Sequence, residues 1–168
     1  MRELKPLDYK LLFELIKNSR RSDRTLAKVL NSSQPTITRR RARLEKDFIE
    51  EYTAIPKWEK IGFKIAAFTF VKSKIKYVEP EKRKEAFAKV REWLAKQPSV
   101  ILALAGQGMG WDGVCVSFHK DYSHFIEFIG KHNSELSEFL VETQSFVSDL
   151  NCTTFLKTLN FRYLAETR

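Results

Sequence analysis

The sequence predicts an α+β chain built as two units, and three observations carry that reading. Three helical patterns follow one another between Leu7 and Phe48, a strand-helix-strand-strand-helix-strand succession runs from Phe63 to Leu150, and positive charge is concentrated in the helical part. Positions 1–60 hold 15 Lys/Arg against 9 Asp/Glu, a net +6, whereas the rest of the chain contributes +3 to the total of +9. At 168 residues and 43% hydrophobic, the chain has enough apolar material for one medium domain or two small ones, which argues against disorder.

The first helix is expected from Leu7 or Asp8 to Asn18, because Leu7, Leu11, Leu12, Leu15 and Ile16 recur on one face. Asp8 near its start suits the helix dipole. A second helix starts at Ser22, a good N-cap, and carries Leu26, Ala27, Val29 and Leu30 before Asn31-Ser32 breaks it. The third follows directly: Ser33 can cap it with its hydroxyl, and Pro35 in the first turn removes no donor that the helix needs. Ile37, Leu44 and Phe48 are spaced for burial, while Thr36, Thr38, Arg39, Arg40 and Arg43 are left facing outward. Two short helices joined by a tight turn form a helix-turn-helix, whose second member enters the major groove of DNA.

Residues 49–55 read as a short strand or wing closing this first unit, residues 1–55. Residues 56–62 read as a linker, since Pro56 disfavours helix and Gly62 marks a turn, with Trp58 as an anchor. The second unit, residues 63–168, opens with a buried strand at Phe63 to Val71. A helix from Pro80 follows, with Phe87, Val90, Trp93 and Leu94 on its apolar side. Strands come next at Val100 to Ala105 and Gly113 to His119, then a helix capped by Asp121 with Phe125, Ile126, Phe128 and Ile129 turned inward, and a strand at Val141 to Leu150. This is the ferredoxin-like βαββαβ order. The alternation of Phe155, Leu159, Phe161 and Tyr163 suggests an extra C-terminal edge strand.

Between Lys17 and Arg43 there are nine basic residues and one acid, Asp23, which points to a polyanionic partner and, with the helix-turn-helix, to double-stranded DNA. Thr36, Thr38 and Arg39 lie where side chains reach base edges, Arg to guanine and Thr to a thymine methyl. Ser33, Gln34, Arg40 and Arg43 are better placed for phosphates, as are Arg21 and Arg24. Arg41 is the odd member, because it interrupts the buried stripe between Ile37 and Leu44 and must either snorkel outward or pair with an acid.

The stretch from Gly106 through Gly108 and Gly110 to Trp111 and Asp112 lacks the GxGxxG spacing and opens no helix, so a phosphate cradle is disfavoured. A small-effector site, with Asp112 meeting an amino group and backbone N–H groups meeting a carboxylate, stands beside a plain structural hairpin. Trp111 could line such a pocket or pack between subunits. His119, His124 and His132 are not spaced as metal ligands and read as solvated or capping residues. Cys115 and Cys152 read as buried free thiols, and no catalytic constellation stands out. No cofactor, metal or membrane partner is expected. No apolar run is long enough to span a bilayer and no signal peptide is visible, so a cytoplasmic protein is expected.

On these residues the chain resembles the Lrp/AsnC (feast/famine) transcription regulators over about residues 4 to 150. The resemblance rests on Leu7-Asp8-Tyr9, Arg21-Ser22 with Leu26-Ala27, Pro35-Thr36-Ile37 with Arg39-Arg40 and Leu44-Glu45, and Phe48-Ile49 followed by Tyr52-Thr53-Ala54. It implies a winged helix-turn-helix, and a ferredoxin-like domain that dimerises through its sheet and often binds an amino-acid effector. A homodimer, or a larger oligomer of dimers, follows from it. The chain departs from the family at Arg41, at the longer and glycine-richer segment Gly106 to Gly113, and in a tail beyond Cys152. Two alternatives remain: a siroheme-decarboxylase-like enzyme on a similar fold, and an assembly or effector-binding protein without DNA binding. Salt dependence of DNA affinity separates the last from the favoured reading.

Overall fold

The computed structural model describes residues 3–75, 79–151, 153–154 and 156–166. They form two compact units: residues up to Ile55 together with those from Lys157 on, and Pro56–Leu156.

The helical unit contains α1 (Pro6–Lys17), α2 (Asp23–Val29) and α3 (Gln34–Asp47). Leu11, Leu15, Leu26, Ala27, Ile37 and Leu44 close its core, with Leu4, Leu12, Leu30, Phe48 and Ile49 packed around them. Ser22 caps α2 as expected, its hydroxyl accepting from the Thr25 backbone N–H at 3.2 Å. Ser33 occupies the N-cap position of α3, but its hydroxyl donates to Thr36 Oγ1 at 2.8 Å instead of receiving a backbone N–H. Between the two helices Asn31 takes a left-handed backbone at φ 48°, a conformation that Asn tolerates better than most residues.

No strand forms at residues 49–55, so the expected strand or wing is corrected to a segment without regular secondary structure. The segment is held to α3 by side chains instead: Tyr52 donates to Glu45 Oε1 at 3.0 Å, and the Arg41 guanidinium lies 5.7 Å from the Tyr52 ring centroid.

The sheet unit has β1 (Ile65–Ser73), α4 (Pro80–Ala95), β2 (Val100–Gly108), β3 (Trp111–His119), α5 (Tyr122–Glu135) and β4 (Leu140–Asp149), with strand order β2-β3-β1-β4. All three pairings are antiparallel, Phe68 standing opposite Val116 on one side and Phe146 on the other. This is the expected ferredoxin-like arrangement, and α5 begins at Asp121, whose carboxylate accepts the His124 N–H at 2.8 Å. The stretch read as a linker belongs to this unit. Trp58–Ile61 is one turn of 3₁₀ helix ended by Gly62 at φ 92°, and Trp58 packs edge-on against Phe118 with ring centroids 4.6 Å apart.

The expected C-terminal edge strand is also corrected. Among the described residues the tail holds a short helix, α6 (Arg162–Glu166), which groups with the helical unit beside α1 and buries Ala165 completely. Its alternation of large residues misled because Leu159 and Phe161 stay exposed and, among the described residues, no strand edge receives them. Phe155 and Cys152 lie outside the described residues, so their expected roles are not addressed by the structure. Cys115 is a buried free thiol, as expected.

Candidate nucleic-acid interface

The arginine run of α3 is divided by what each side chain meets. Arg39 is exposed and makes no ion pair among the described residues. It lies on the outer face of the helix with Gln34, Pro35, Thr38 and Ala42, which are exposed too. Thr38 donates to Asp23 Oδ2 at 2.6 Å, which fixes its hydroxyl against the start of α2. Thr36 is half-buried and takes the Ser33 hydroxyl.

Arg40 and Arg43 turn the other way. Asp8, on α1, is 1% exposed, and Arg40 Nη1 donates to its Oδ1 at 2.6 Å. Asp8 Oδ2 accepts the Lys5 backbone N–H at 2.9 Å, and Arg43 Nη1 stands 3.9 Å from the same oxygen. Burial pushes the Asp8 carboxyl up, but the Arg40 and Lys5 hydrogen bonds and the two arginine charges outweigh it, leaving the carboxyl below its ordinary value. Arg43 also donates to the Glu3 carbonyl and lies over the Phe48 ring. Arg40, assigned from the sequence as a free phosphate contact, thus holds the helical unit together; that assignment missed the Asp8 carboxylate, which comes from a different helix.

Arg41 resolves its own anomaly by pairing. Its Nε donates to Glu45 at 2.8 Å and its Nη1 to Asp23 at 3.2 Å, with further bonds to the carbonyls of Arg21 and Ser19. The Glu45 bond, helped by Asp23, raises the guanidinium pKa against the effect of burial. Arg41 therefore clamps α3 to the turn before α2. Arg21 is paired with Glu14 of α1. Arg24 remains exposed and without an ion pair among the described residues, as do Arg20 and Lys28, two cations that the selection from sequence left out. The signal for them was present in the basic stretch from Lys17 to Arg43.

In the sheet unit the glycine-rich segment is a tight hairpin. Gly106 and Gly108 are part of β2, Gly108 pairs with Trp111, and the turn is Met109-Gly110 with φ of 50° and 81°. Two successive positive φ values are the backbone of a primed hairpin turn, which is why Gly serves at the second position. A shallow groove of about 260 Å³ lies along it, lined by Gly106, Gln107, Gly108 and Trp111 with Leu104 and Val114. Asp112 does not line this groove: its Oδ2 accepts the Ser73 backbone N–H at 2.8 Å and ties β3 to the end of β1. The structure therefore does not gather Asp112 with the glycines. Trp111 tilts against Phe70, with the Lys72 ammonium 5.9 Å from its ring centroid.

Two of the three histidines are interior, against the expectation of solvated or capping residues. His119 is fully buried, with Nε2 2.8 Å from the Ser117 hydroxyl and its ring 5.2 Å from that of His124. His132 is 3% exposed. Both lie on inward positions, His119 at the end of β3 and His132 one turn beyond Phe128 on α5, so their periodicity matched the apolar residues around them. Among the described residues no group of His, Cys, Asp and Glu could hold a metal ion, and no helix is long and apolar enough to cross a membrane.

A helical core of this layout, with a cap, a left-handed turn residue and a third helix presenting a polar outer face, agrees with what known families match. The AsnC-type helix-turn-helix family matches residues 6–45. Over 76 residues the chain is 38% identical to an uncharacterised helix-turn-helix-type transcriptional regulator of Pyrococcus horikoshii, and 37% identical to one of Pyrococcus abyssi. Each match covers 45% of this chain and 51% of the relative, so the chain aligns over about half the length of these curated relatives. Solved structures extend the likeness of fold beyond the AsnC-type domain to nearly the whole chain. An AsnC family transcriptional regulator from Agrobacterium tumefaciens has a TM-score of 0.75 at 18% identity, covering 96% of this chain and 99% of its own. A transcriptional regulator from Neisseria meningitidis, solved as an L-Met complex, has 0.73 at 22%, with the same coverage. E. coli AsnC has 0.70 at 17%, covering 94% and 99%.

Proposed function

We propose that this protein is a sequence-specific DNA-binding transcription regulator of the Lrp/AsnC type, reading the major groove with α3. The observation that carries this reading is Arg39: of four arginines in the run, it alone is both exposed and unpaired, at the middle of the outer face of an AsnC-type recognition helix. The three other arginines hold α3 in place against α1 and the turn before α2. Arg39 is then the base reader, flanked by Gln34 and Thr38, while Arg24 and Lys28 of α2 with Arg20 before it supply phosphate contacts.

The uncovered face of the sheet supports self-association. Phe68, Leu102, Leu104 and Phe146 are all more than a third exposed on strands β1, β2 and β4, and with Phe70 and Val116 they form one apolar face. A second copy would cover it, and a two-fold dimer should prefer a near-palindromic site with half-sites about one helical turn apart, or a multiple of that. The groove beside Gly106, Gly108 and Trp111 is the candidate effector contact. The L-Met complex of the Neisseria regulator makes amino acids the first ligands to try. The decarboxylase alternative is not carried further, because His119 is closed inside the sheet unit.

Selection of bound fragments from random DNA, followed by binding measurements at several salt concentrations, tests the reading. Arg39→Ala should cost about 1–3 kcal/mol on the selected site and relax its preference, while Arg24→Ala should weaken selected and random DNA alike. Affinity should fall steeply as salt rises. Equal losses on both DNAs for both variants would remove Arg39 as base reader, and the absence of any shift at low salt would remove DNA binding itself.

A further inference from the structure

The sheet unit has a second cavity, under α4, that the effector groove does not use. Its cause is a mismatch of side-chain sizes. Phe87, Val90, Arg91 and Leu94 form a stripe of α4 at spacings of three and four, and all four line the cavity. Opposite them the strands offer small residues: Ala103 and Ala105 on β2, Gly113 and Cys115 on β3. A Cβ on Gly113 would stand 3.0 Å from the Leu104 carbonyl oxygen, so this wall cannot simply grow to fill the gap. The result is an open groove of about 250 Å³, along which Phe87, Arg91, Ala103 and Ala105 are exposed while His132 and Cys115 are buried at its floor. Leu104, Ala105, Gly113 and Val114 form the wall that it shares with the hairpin groove.

Two polar groups in the lining can meet a ligand, the exposed Arg91 and the buried His132. Arg91 interrupts an otherwise apolar stripe and makes no ion pair among the described residues. His132, on α5, is only 3% exposed; its Nδ1 lies 3.0 Å from Asn133 Oδ1, the geometry of a donated hydrogen bond, which leaves Nε2 as a lone-pair acceptor with no hydrogen bond among the described residues. The Trp93 ring stands edge-on to the imidazole at 5.6 Å, held by its own hydrogen bond to Glu135. Burial keeps His132 neutral at pH 7 and pushes the Cys115 thiol up to about 11, so neither adds charge. Asp112, the one acid in the lining, is bound to the Ser73 N–H.

We propose that this cavity binds a small apolar carboxylate bearing one hydrogen-bond donor, its carboxylate on Arg91, its donor on His132 Nε2 and its apolar body against the small residues of β2 and β3. Calorimetric titration of the full chain with 2-hydroxy-4-methylpentanoate, its amide, and 4-methylpentanoate tests this without DNA, so it stands or falls apart from the regulatory reading. The hydroxy acid should bind, the amide at least tenfold more weakly, and the acid without the hydroxyl more weakly as well. Arg91→Gln should abolish the difference between acid and amide. Ala103→Leu, which fills the space from a strand position that tolerates a larger side chain, should abolish binding while leaving the thermal transition in place. No binding at millimolar concentration, equal binding of acid and amide, or undiminished binding to Ala103→Leu would each overturn the proposal.

Discussion

In the helical unit the buried polar group is a carboxylate, Asp8, kept ionised by Arg40 and by the Lys5 N–H. In the sheet unit the buried polar groups are Thr69, Ser117, His119 and His132, which are neutral or can be made so. The difference follows from what each unit has at hand. A short bundle with three arginines pointing into its seams can satisfy a charge at close range. A sheet lined by aromatic and small residues offers hydroxyls and rings but no counter-ion. The first solution ties helices together while leaving Arg40 Nε unpartnered; the second leaves ring nitrogens unpartnered, His119 Nδ1 among them.

The largest test removes the charge. Asp8→Ala strands Arg40 in a half-buried seam and should cost the helical unit about 3–5 kcal/mol, the loss typical of one partner taken from a buried pair. All three tryptophans, Trp58, Trp93 and Trp111, lie in the sheet unit. Far-ultraviolet circular dichroism should therefore report early loss of helix while tryptophan fluorescence holds its native midpoint. A loss below about 1 kcal/mol would show that the pair is not what holds α1 to α3.

Acid should separate the two units in the opposite sense. Burial, helped by the charge on His124, pushes His119 down to about 4 from an ordinary 6.5. Below pH 6.5 the unfolded chain takes up a proton that the folded one refuses, so stability is full above pH 6.5 and declines as pH falls toward 4, by up to about 3 kcal/mol. Asp8 behaves differently: its lowered pKa keeps its contribution intact until pH drops below about 4. Between pH 6 and 4.5 the fluorescence transition should weaken and take with it only the part of the helical signal that α4 and α5 supply, and His119→Gln should flatten the slope. Identical pH profiles for both signals would break the distinction.

How much of this was legible in the sequence follows from range. Helix spacing, the Ser22 and Asp121 caps and the βαββαβ order are local, and the structure follows them to within a few residues. The Asp8–Arg40 pair was not legible, because its partners sit on different helices, far apart along the chain, and Asp8 already had a sufficient role at the helix start. The wing failed because the alternation there serves side-chain contacts, Tyr52 to Glu45 and Arg41, and not a strand pairing. The tail failed because alternation of large residues means a strand only when an edge is there to pair with. The cavity under α4 was invisible, since small residues on β2 and β3 form a gap only when the stripe above them falls short.

The open face of the sheet supplies the next test, smaller than the first two. Phe146 is 64% exposed and tilts against Phe68 at 6.3 Å, at the middle of the apolar face. Phe146→Glu should raise the dimer dissociation constant by at least about 30-fold, roughly 2 kcal/mol, as read by sedimentation, without moving the monomer's thermal midpoint. An unchanged dimer would mean that copies meet elsewhere.

The smallest effect is the sharpest, because it compares neighbours on one helix. Arg41→Ala loses bonds to Glu45, Asp23 and two carbonyls of the turn before α2, all at a partly exposed site, and should cost about 1–2 kcal/mol of stability. Arg39→Ala loses no ion pair or side-chain hydrogen bond among the described residues and should change stability by less than about 0.5 kcal/mol. Affinity for the selected DNA should reverse that order, since Arg39 has nothing else to hold and Arg41 has nothing left to give. If unfolding midpoints move equally for the two variants, the division of the arginine run into one reader and three clamps is wrong. If they separate while DNA affinity does not, α3 is built as a recognition helix but reads through residues other than Arg39.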